Sequence, residues 1–324
     1  MNILEINNLK AYYRVNVNSG INFVKAVDGV TFSVHNNEIL GIAGESGCGK
    51  STLIKALYGL FKPPLFLKSG QIVYDVHGKK IDITKVDTER LRDLYWTFLS
   101  YIPQSSMNVL NPTMRIKDQL LAIIKYRAGY EIKDTKSYIE EHITNLGLPV
   151  EVLNSYPHQL SGGMRQRVTI AMATLLRPSI IFADEFTTAL DVIVQRVILQ
   201  LVKRLQKSLK NTIIMVTHDM GVHAEITDRL LVMYAGNVVE LAPTEEMFES
   251  PIHPYTYHLI QSLPRIGDKK RRTGVGGSPP SLLNPPSGCR FHPRCPLCTD
   301  ICKKKVPQLI EVSKNHYVAC HLKQ

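Results

Sequence analysis

The residues GESGCGKST, at positions 44–52, have the types and spacing of a phosphate-binding loop. They follow an apolar run, EILGIAG, that predicts a buried strand, and they open a predicted helix, KSTLIKALYGL. Glycines let the backbone wrap a phosphate, and the first N–H groups of the helix then point at the anion. Lys50 would reach the outer phosphates of a nucleotide, and Ser51 would ligate Mg²⁺. The predicted nucleotide-binding residues are Gly44, Glu45, Ser46, Gly47, Cys48, Gly49, Lys50, Ser51 and Thr52, with Cys48 interpreted as a small filler rather than a redox group.

Two further apolar runs also end in residues that can do chemistry. SIIFADE (179–185) ends in Asp184 and Glu185, and TIIMVTHD (212–219) contains His218. Parallel strands buried on both faces have such sequences, and ligands of open α/β sheets bind at the carboxyl ends of the strands. Asp184 would hold Mg²⁺, Glu185 would polarise a water against the γ-phosphate, and His218 would sense or orient the phosphate and the water. Each residue type alone also occurs at strand ends for structural reasons.

LSGGMRQR (160–167) predicts a second anion-binding helix terminus. A serine and two glycines, Ser161, Gly162 and Gly163, precede a predicted helix, so its first N–H groups are accessible to an anion. One nucleotide does not need two such elements from a single chain.

These motifs lie in a chain of ordinary globular composition. It has 324 residues, 44% hydrophobic and 21% charged, which suits one large domain and a smaller one. No apolar run approaches the roughly 20 residues of a membrane span, and the N-terminus does not read as a signal peptide, so we expect a soluble, intracellular protein. The net charge of +11 is interpreted as solvated faces, since DKKRR (268–272) and KKK (303–305) carry much of it.

The predicted fold class is α/β, with a P-loop nucleotide-binding core and a mainly parallel sheet. The first 37 residues alternate apolar and polar positions and predict antiparallel strands, and the stretch of about 105–165 predicts a helical insert. The composition changes after about residue 245, and the segment that follows contains a Pro/Gly/Ser linker, GVGGSPPSLLNPPSG. We therefore predict a nucleotide-binding domain over 1–245 and a C-terminal extension over 246–324.

The end of the chain gathers cysteines. GCRFHPRCPLCTDIC (288–302) holds Cys289, Cys295, Cys298 and Cys302, and Cys320 follows. In a reducing compartment, clustered cysteines are more often metal ligands than disulfides.

Taken together, the motifs resemble the ATPase subunits of ABC transporters over roughly residues 1–245. The matching segments are the loop 44–52, YIPQ, LSGGMRQR, the strand 180–185, TTALD (187–191) and His218. The resemblance implies ATP with Mg²⁺, bound between two ATPase domains arranged head to tail. It implies that Ser161, Gly162 and Gly163 touch the partner's γ-phosphate and that Asp191 bridges the dimer. Gln104 would couple Mg²⁺ to the contact with a transmembrane domain, and Tyr13 would stack on adenine, with Tyr12 or plain core packing as alternatives.

Several segments are similar to the oligopeptide/dipeptide importer ATPases in particular. They are AVDGVTFSV, SSMNVLNP, TTALDVIVQ, SPIHPYTYHLIQSLP and the cysteine-rich end. That group implies a second, related ATPase as a heterodimer partner, two transmembrane permease subunits, an extracytoplasmic solute-binding protein, and a place at the cytoplasmic face of the membrane. Relatives also import oligosaccharides of the cellobiose type, so that cargo stays an alternative.

The same resemblance implies a [4Fe–4S] cluster on Cys289, Cys295, Cys302 and Cys320. Cys298 is extra and would be a substitute ligand. Thiolates are the usual ligands of such clusters, but four thiolates also hold structural Zn²⁺, and an unmetallated or disulfide-bonded segment is a third alternative.

Two other functional classes fit less well. Soluble ABC ATPases that act on ribosomes or nucleic acid resemble two ATPase domains in one chain with a cluster module in front, whereas here one domain precedes the cysteines. We therefore expect no nucleic-acid partner. A regulator that binds ATP without hydrolysing it would not need Glu185.

Overall fold

The computed structural model describes residues 1–17, 20–104, 109–127, 132–188, 190–263 and 274–323. Residues 105–108 of SSMNVLNP, Ala189 of TTALD and the basic run 268–272 lie outside the described residues. The chain forms two compact units, Met1–Val86 with Met215–Gln324, and Asp87–Ile214. These limits are not those of the predicted domains, and the boundary at residue 245 stays a prediction.

The fold class is α/β, as the sequence predicts. The strands are β1 (Asn2–Val17), β2 (Gly20–His35), β3 (Ile39–Ala43), β4 (Leu65–Val76), β5 (Lys79–Asp82), β6 (Leu99–Ile102), β7 (Ile180–Asp184), β8 (Thr212–Val216), β9 (Arg229–Tyr234), β10 (Asn237–Pro243), β11 (Ile310–Ser313) and β12 (His316–Val318). The helices are α1 (Lys50–Leu57), α2 (Thr88–Leu94), α3 (Ile116–Tyr126), α4 (Thr135–Asn145), α5 (Gly162–Thr174), α6 (Val192–Leu209), α7 (Met220–Ile226), α8 (Thr244–Glu249), α9 (Pro254–Gln261) and α10 (Asp300–Lys304). No helix among the described residues is long and apolar enough to cross a membrane.

The first unit holds an antiparallel sheet and part of a second, mixed sheet. The antiparallel sheet has the strand order β2-β1-β4-β5, as the alternating pattern of the N-terminal residues predicts. In the second sheet the strands of this unit follow the order β11-β12-β10-β9-β3, and β3 pairs with β9 in parallel. Every residue of β3 is buried, which explains its uninterrupted apolar sequence.

The second unit combines a parallel strand pair with helices. β6 pairs with β7 in parallel, and all five residues of β7 are buried. Helices α3 and α4 lie within the predicted helical insert and bury isoleucines on one face, among them Ile116, Ile123 and Ile143. Strand β8 crosses from this unit into the first.

The C-terminal segment is built onto the sheet of the first unit. Strand β12 pairs antiparallel with β10, and β11 pairs with β12. On β12, the buried His316 directs Nε2 at Oε1 of Glu240 at 2.7 Å and Nδ1 at Oε2 of Glu246 at 3.4 Å. Burial by itself lowers the pKa of His316, but hydrogen bonds and charge from the two carboxylates outweigh burial and raise it above its ordinary value.

The raised pKa makes the stability of this segment depend on pH. The charged ring stabilises the fold fully below the unfolded pKa of about 6.5, and this contribution is lost as the pH rises through the higher folded pKa. We expect His316→Leu to cost about 3 kcal/mol at pH 6, because it leaves the Glu240 carboxylate buried without its cation, and less at higher pH. Urea unfolding of both chains from pH 6 to 9 measures the difference.

The matched control is His321→Leu, which removes a ring bonded to the Lys305 carbonyl at 2.8 Å. In this variant the free energy of unfolding should depend on pH as it does in the wild-type chain. A stability difference between wild type and His316→Leu that stays constant over this range would contradict the assignment.

Candidate active site

The loop 44–49 joins the buried strand β3 to helix α1. Gly44 has φ +143°, and a Cβ there would lie 2.2 Å from the carbonyl oxygen of Met233. Gly49 has φ +110°, and a Cβ there would lie 2.0 Å from the carbonyl oxygen of Ala26. Both positions therefore require glycine for backbone conformation and for space.

Lys50 begins helix α1 and turns its side chain back over this loop. Its Nζ donates to the carbonyl oxygens of Gly44 at 2.8 Å and Glu45 at 3.0 Å, and the residue is only 6% exposed. The ammonium group and the first N–H groups of α1 thus belong to one short stretch of chain, followed by the hydroxyl of Ser51. This is the arrangement that binds a phosphate chain with its magnesium ion.

Cys48 lies buried inside the loop. Burial raises the pKa of its thiol, although the nearby Lys50 ammonium, 3.9 Å from Sγ, acts in the opposite direction. The thiol is therefore protonated at neutral pH, consistent with a small filler.

Of the two tyrosines considered for adenine stacking, Tyr12 is tied into the core. It is buried, and its hydroxyl donates to Oδ1 of Asp28 at 2.6 Å. Tyr13 is partly exposed, and its hydroxyl lies 3.2 Å from Oγ1 of Thr52. The structure thus brings Tyr13 to the first turn of α1, and adenine stacking stays a prediction.

In the second unit, strand β7 delivers the paired acids. Asp184 is buried, and its Oδ2 accepts a hydrogen bond from the Tyr101 hydroxyl at 3.3 Å. Glu185 has φ +45°, a left-handed conformation that is unusual for a residue with a side chain, and its Oε2 accepts from Nε2 of Gln104 at 2.8 Å. The structure therefore joins Gln104 to Glu185, which the sequence could not show.

The LSGG element is a helix N-terminus, as predicted. Ser161 caps α5, and its Oγ accepts from the N–H of Met164 at 3.3 Å. A Cβ on Gly163 would lie 2.9 Å from Cγ1 of Val194 in α6, so glycine allows the two helices to approach. Asp191 caps α6 by accepting from the N–H of Val194 at 2.9 Å.

His218 lies in the first unit, between β8 and α7. The next residue, Asp219, caps α7 by accepting from the N–H of Gly221 at 2.8 Å. The fully buried His223 donates from Nε2 to the carbonyl of Thr217 at 3.3 Å, and burial lowers the pKa of its ring to about 4. A neutral His223 therefore fixes the backbone directly before His218.

The cysteine segment gathers thiols without forming a site for a single ion. Burial raises the pKa of Cys289 to about 11, and the nearby thiols of Cys302, Cys320 and Cys295 raise it further. Within the described residues, which include all these cysteines, no group of three or more His, Cys, Asp or Glu side chains is placed to hold a metal ion. The part of the chain that the structure describes thus gives neither the predicted cluster nor zinc a preformed metal site.

Two residues that the motifs do not include also contact the phosphate loop. The hydroxyl of Tyr255 accepts from the N–H of Glu45 at 2.8 Å, and Arg294 forms an ion pair with the Glu45 carboxylate. The sequence signal that could have pointed to Arg294 is its position in the cysteine-rich segment, within RFHPRCP.

Comparison with known proteins agrees with this geometry. A family profile described as ABC transporter matches residues 27–188, and one described as the C-terminal region of oligopeptide/dipeptide transporters matches residues 239–302. A dipeptide transport ATP-binding protein from Caldanaerobacter subterraneus is 42% identical, with 99% of this chain and 97% of the relative covered. An oligopeptide transport ATP-binding protein from Bacillus subtilis is 38% identical over the same shares of the two chains.

The fold is also similar to solved ATP-binding cassettes. A dimeric cassette in a post-hydrolysis state, bound to ADP and phosphate, superposes with a TM-score of 0.62 at 26% identity. The similarity covers 74% of this chain and 98% of that one.

The burial of Cys48 yields a prediction about its reactivity. Because the thiol is buried and protonated, we expect iodoacetamide to label Cys48 much more slowly than the partly exposed Cys298 at pH 7.5. Once labelled, Cys48 should block nucleotide binding, since the loop has no room for the added group. Mass spectrometry of labelled peptides, with fluorescent-ATP binding on the same samples, measures both effects.

Cys298→Ser is the control, because it removes the fast-reacting thiol and should leave binding unchanged. Full nucleotide binding by protein that is completely labelled at Cys48 would show that the loop does not enclose the phosphates.

Proposed function

Because the chain belongs to the ABC transporter family of ATP-binding subunits, which hydrolyse ATP, we propose that it is the motor subunit of an importer for dipeptides or oligopeptides. The observation that carries this proposal is the glycine loop with Lys50 folded over it, in a chain whose full length matches peptide-transport ATPases. ATP binding would close a dimer of ATPase subunits, hydrolysis would reopen it, and membrane subunits would use the motion.

The first part of the proposed mechanism is the binding of the phosphates and of Mg²⁺. The N–H groups of 44–49 and the Lys50 ammonium bind the phosphates, and Thr52 follows in the same turn. Ser51, Gln104 and Asp184 would hold Mg²⁺. The burial of Asp184 and its bond from Tyr101 support that role, because a fixed carboxylate needs little reorganisation to bind a cation.

Glu185 acts as the general base for the attacking water, and His218 orients the water and the γ-phosphate. The left-handed backbone of Glu185 supports this role, because such strain is retained mostly where function requires it. The hydrogen bond from Gln104 fixes the direction of the Glu185 carboxylate. The proposed base and one proposed metal ligand are thereby linked directly.

A second ATPase subunit would complete each site. Ser161, Gly162 and Gly163 present a helix N-terminus for the partner's γ-phosphate, and Asp191 bridges the two chains. Directly after Asp191, the side chains of Val192 and Ile193 are 80% and 79% exposed. Two adjacent exposed aliphatic residues favour a contact with another chain. We propose that this partner is a related ATPase subunit rather than a second copy.

The remaining partners follow from the relatives. Two permease subunits would receive the motion near Gln104, a solute-binding protein would deliver the peptide, and the chain would sit at the cytoplasmic face of the membrane. Import of cellobiose-type oligosaccharides is the alternative with the same machinery. The names of the relatives favour peptides and give no support to a role on ribosomes or nucleic acid.

For the cysteine segment we propose a [4Fe–4S] cluster rather than a single zinc ion, because its sequence resembles the cysteine-rich end of relatives that carry one. In a cubane each thiolate binds a different iron, so the ligands stand further apart than four ligands around one ion. The thiols of Cys289, Cys295, Cys302 and Cys320 lie near enough to raise one another's pKa, which supports a shared set of ligands. The proposed ligands of the cluster are Cys289, Cys295, Cys302 and Cys320, with Cys298 as substitute. Cluster binding would stabilise the fold of a segment that has little hydrophobic core of its own.

Replacing the proposed base tests the catalytic assignment. In the assembled complex of both ATPases, permeases and binding protein, we expect peptide to stimulate ATP turnover and cellobiose not to. Glu185→Gln should bind ATP normally but lose about 10²- to 10⁴-fold in turnover, the usual contribution of a general base. Phosphate release and fluorescent-ATP binding measure the two quantities separately.

Glu141→Gln, which neutralises an exposed acid on α4 of the same unit, is the matched control and should turn over like the wild type. Wild-type turnover in Glu185→Gln would contradict the assignment of the base, and stimulation by cellobiose alone would contradict the cargo.

The metal content tests the cysteine proposal. Anaerobically purified chain should contain about four irons and four acid-labile sulfides, with the broad absorbance of a cubane. Cys298→Ser should keep the iron, whereas Cys289→Ser and Cys320→Ser should lose it. One zinc without sulfide, or neither metal, would contradict the cluster.

A further inference from the structure

Glu45 is a negative charge inside a loop that must bind a polyanion. Its backbone N–H donates to the Tyr255 hydroxyl at 2.8 Å, and its carbonyl accepts from the Lys50 ammonium at 3.0 Å. Its carboxylate accepts two hydrogen bonds from Arg294, at 2.7 Å and 2.9 Å. The residue is thus held at three points, and two of them come from the C-terminal part of the chain.

The guanidinium of Arg294 is immobilised by its surroundings. Nε donates to the Gly276 carbonyl at 2.7 Å, one terminal nitrogen donates to the Val275 carbonyl at 3.0 Å, and the other lies 3.1 Å from the Tyr234 hydroxyl. The group also lies over the Tyr234 ring at 5.6 Å, and its side chain is only 5% exposed. A bidentate pair of this kind fixes direction as well as charge.

An aromatic cluster supports both anchors of Glu45. Tyr234, Tyr255 and Phe291 pack against one another with ring centroids 4.7 to 5.4 Å apart. Phe291 comes directly before the short 3₁₀ turn His292–Arg294. The packing of its ring therefore helps to fix the position of the Arg294 backbone. The cluster therefore links the cysteine segment to the phosphate loop through well-packed side chains.

The pairing leaves Lys50 available for phosphate. In this structure the ammonium of Lys50 is bonded to two carbonyl oxygens of the loop, while the Glu45 carboxylate is bonded to Arg294. Without Arg294 the carboxylate would lose two hydrogen bonds and its counter-charge, on the residue whose own carbonyl oxygen accepts from the Lys50 ammonium. It would compete with the phosphates for Lys50 and repel them.

We propose that Arg294 is a positioning residue of the nucleotide site, which acts by neutralising Glu45 and so keeps Lys50 free to bind phosphate. The inference rests on the proposed function of 44–52 as the ATP site. It assigns to the cysteine-rich segment a direct effect on nucleotide affinity, in addition to any metal that the segment holds.

The test measures affinity in the full-length chain without turnover. Fluorescent ATP and ADP are titrated into wild type, Arg294→Ala and the double variant Arg294→Ala/Glu45→Gln, with Mg²⁺, at low and at moderate salt. We expect Arg294→Ala to weaken ATP binding by about 10- to 100-fold, the usual effect of losing a charged hydrogen-bonding partner. The loss should be larger for ATP than for ADP and should shrink with added salt, since it arises from charge.

The double variant separates charge from structure. If Arg294 acts by neutralising Glu45, removing the Glu45 charge should restore most of the lost affinity. Arg290→Ala is the matched control, because this buried arginine of the same segment bonds to Asp28 and the Ala235 carbonyl and should leave ATP affinity near that of the wild type.

Three results would overturn the proposal: wild-type affinity in Arg294→Ala, no recovery in the double variant, or an equal loss in Arg290→Ala. Failure of the proposed function itself has a different signature. In that case the wild-type chain binds no ATP, or Lys50→Ala binds as tightly as the wild type.

Discussion

The loop 44–49 runs so close to two neighbouring carbonyl oxygens that only glycine fits at positions 44 and 49. Those carbonyls belong to Met233 on β9 and Ala26 on β2, so both sheets of the first unit bound the loop. The N–H of Gly236 also donates to the Cys48 carbonyl at 2.8 Å. The shape of the loop is therefore a property of the whole unit rather than of the motif alone.

The C-terminal segment is joined to the same unit by several contacts of its own. It pairs a strand onto β10, sets His316 between two carboxylates, and sends Arg290 and Arg294 to Asp28 and Glu45. Each of these contacts joins residues far apart in the chain, and each involves a group that is costly to bury without its partner. A segment with few apolar residues is thereby fixed to the nucleotide-binding unit by charge and hydrogen bonding as well as by the aromatic cluster.

Local patterns in the sequence predict the elements that carry the chemistry. The apolar runs before Gly44 and before Glu185 are buried strands, and the serine of LSGG caps a helix, because burial on both faces and capping are local rules. The bond between Gln104 and Glu185, the left-handed backbone of Glu185 and the Arg294–Glu45 pair could not be predicted. They depend on how distant segments meet, and no periodicity or spacing records that. The cysteine ligands came from a resemblance, and among the described residues no group of three or more His, Cys, Asp or Glu side chains is placed to hold a metal ion.

The central claim is that residues 44–52 bind the phosphates of ATP. Hydrogen–deuterium exchange of the full-length chain, with and without a non-hydrolysable ATP analogue and Mg²⁺, tests it most directly, since bound phosphates occupy the loop N–H groups. If these residues bind the phosphates, exchange should slow within 44–52 and at the start of α1 and stay unchanged in β11 and β12. Unchanged exchange in the loop at saturating nucleotide would contradict it.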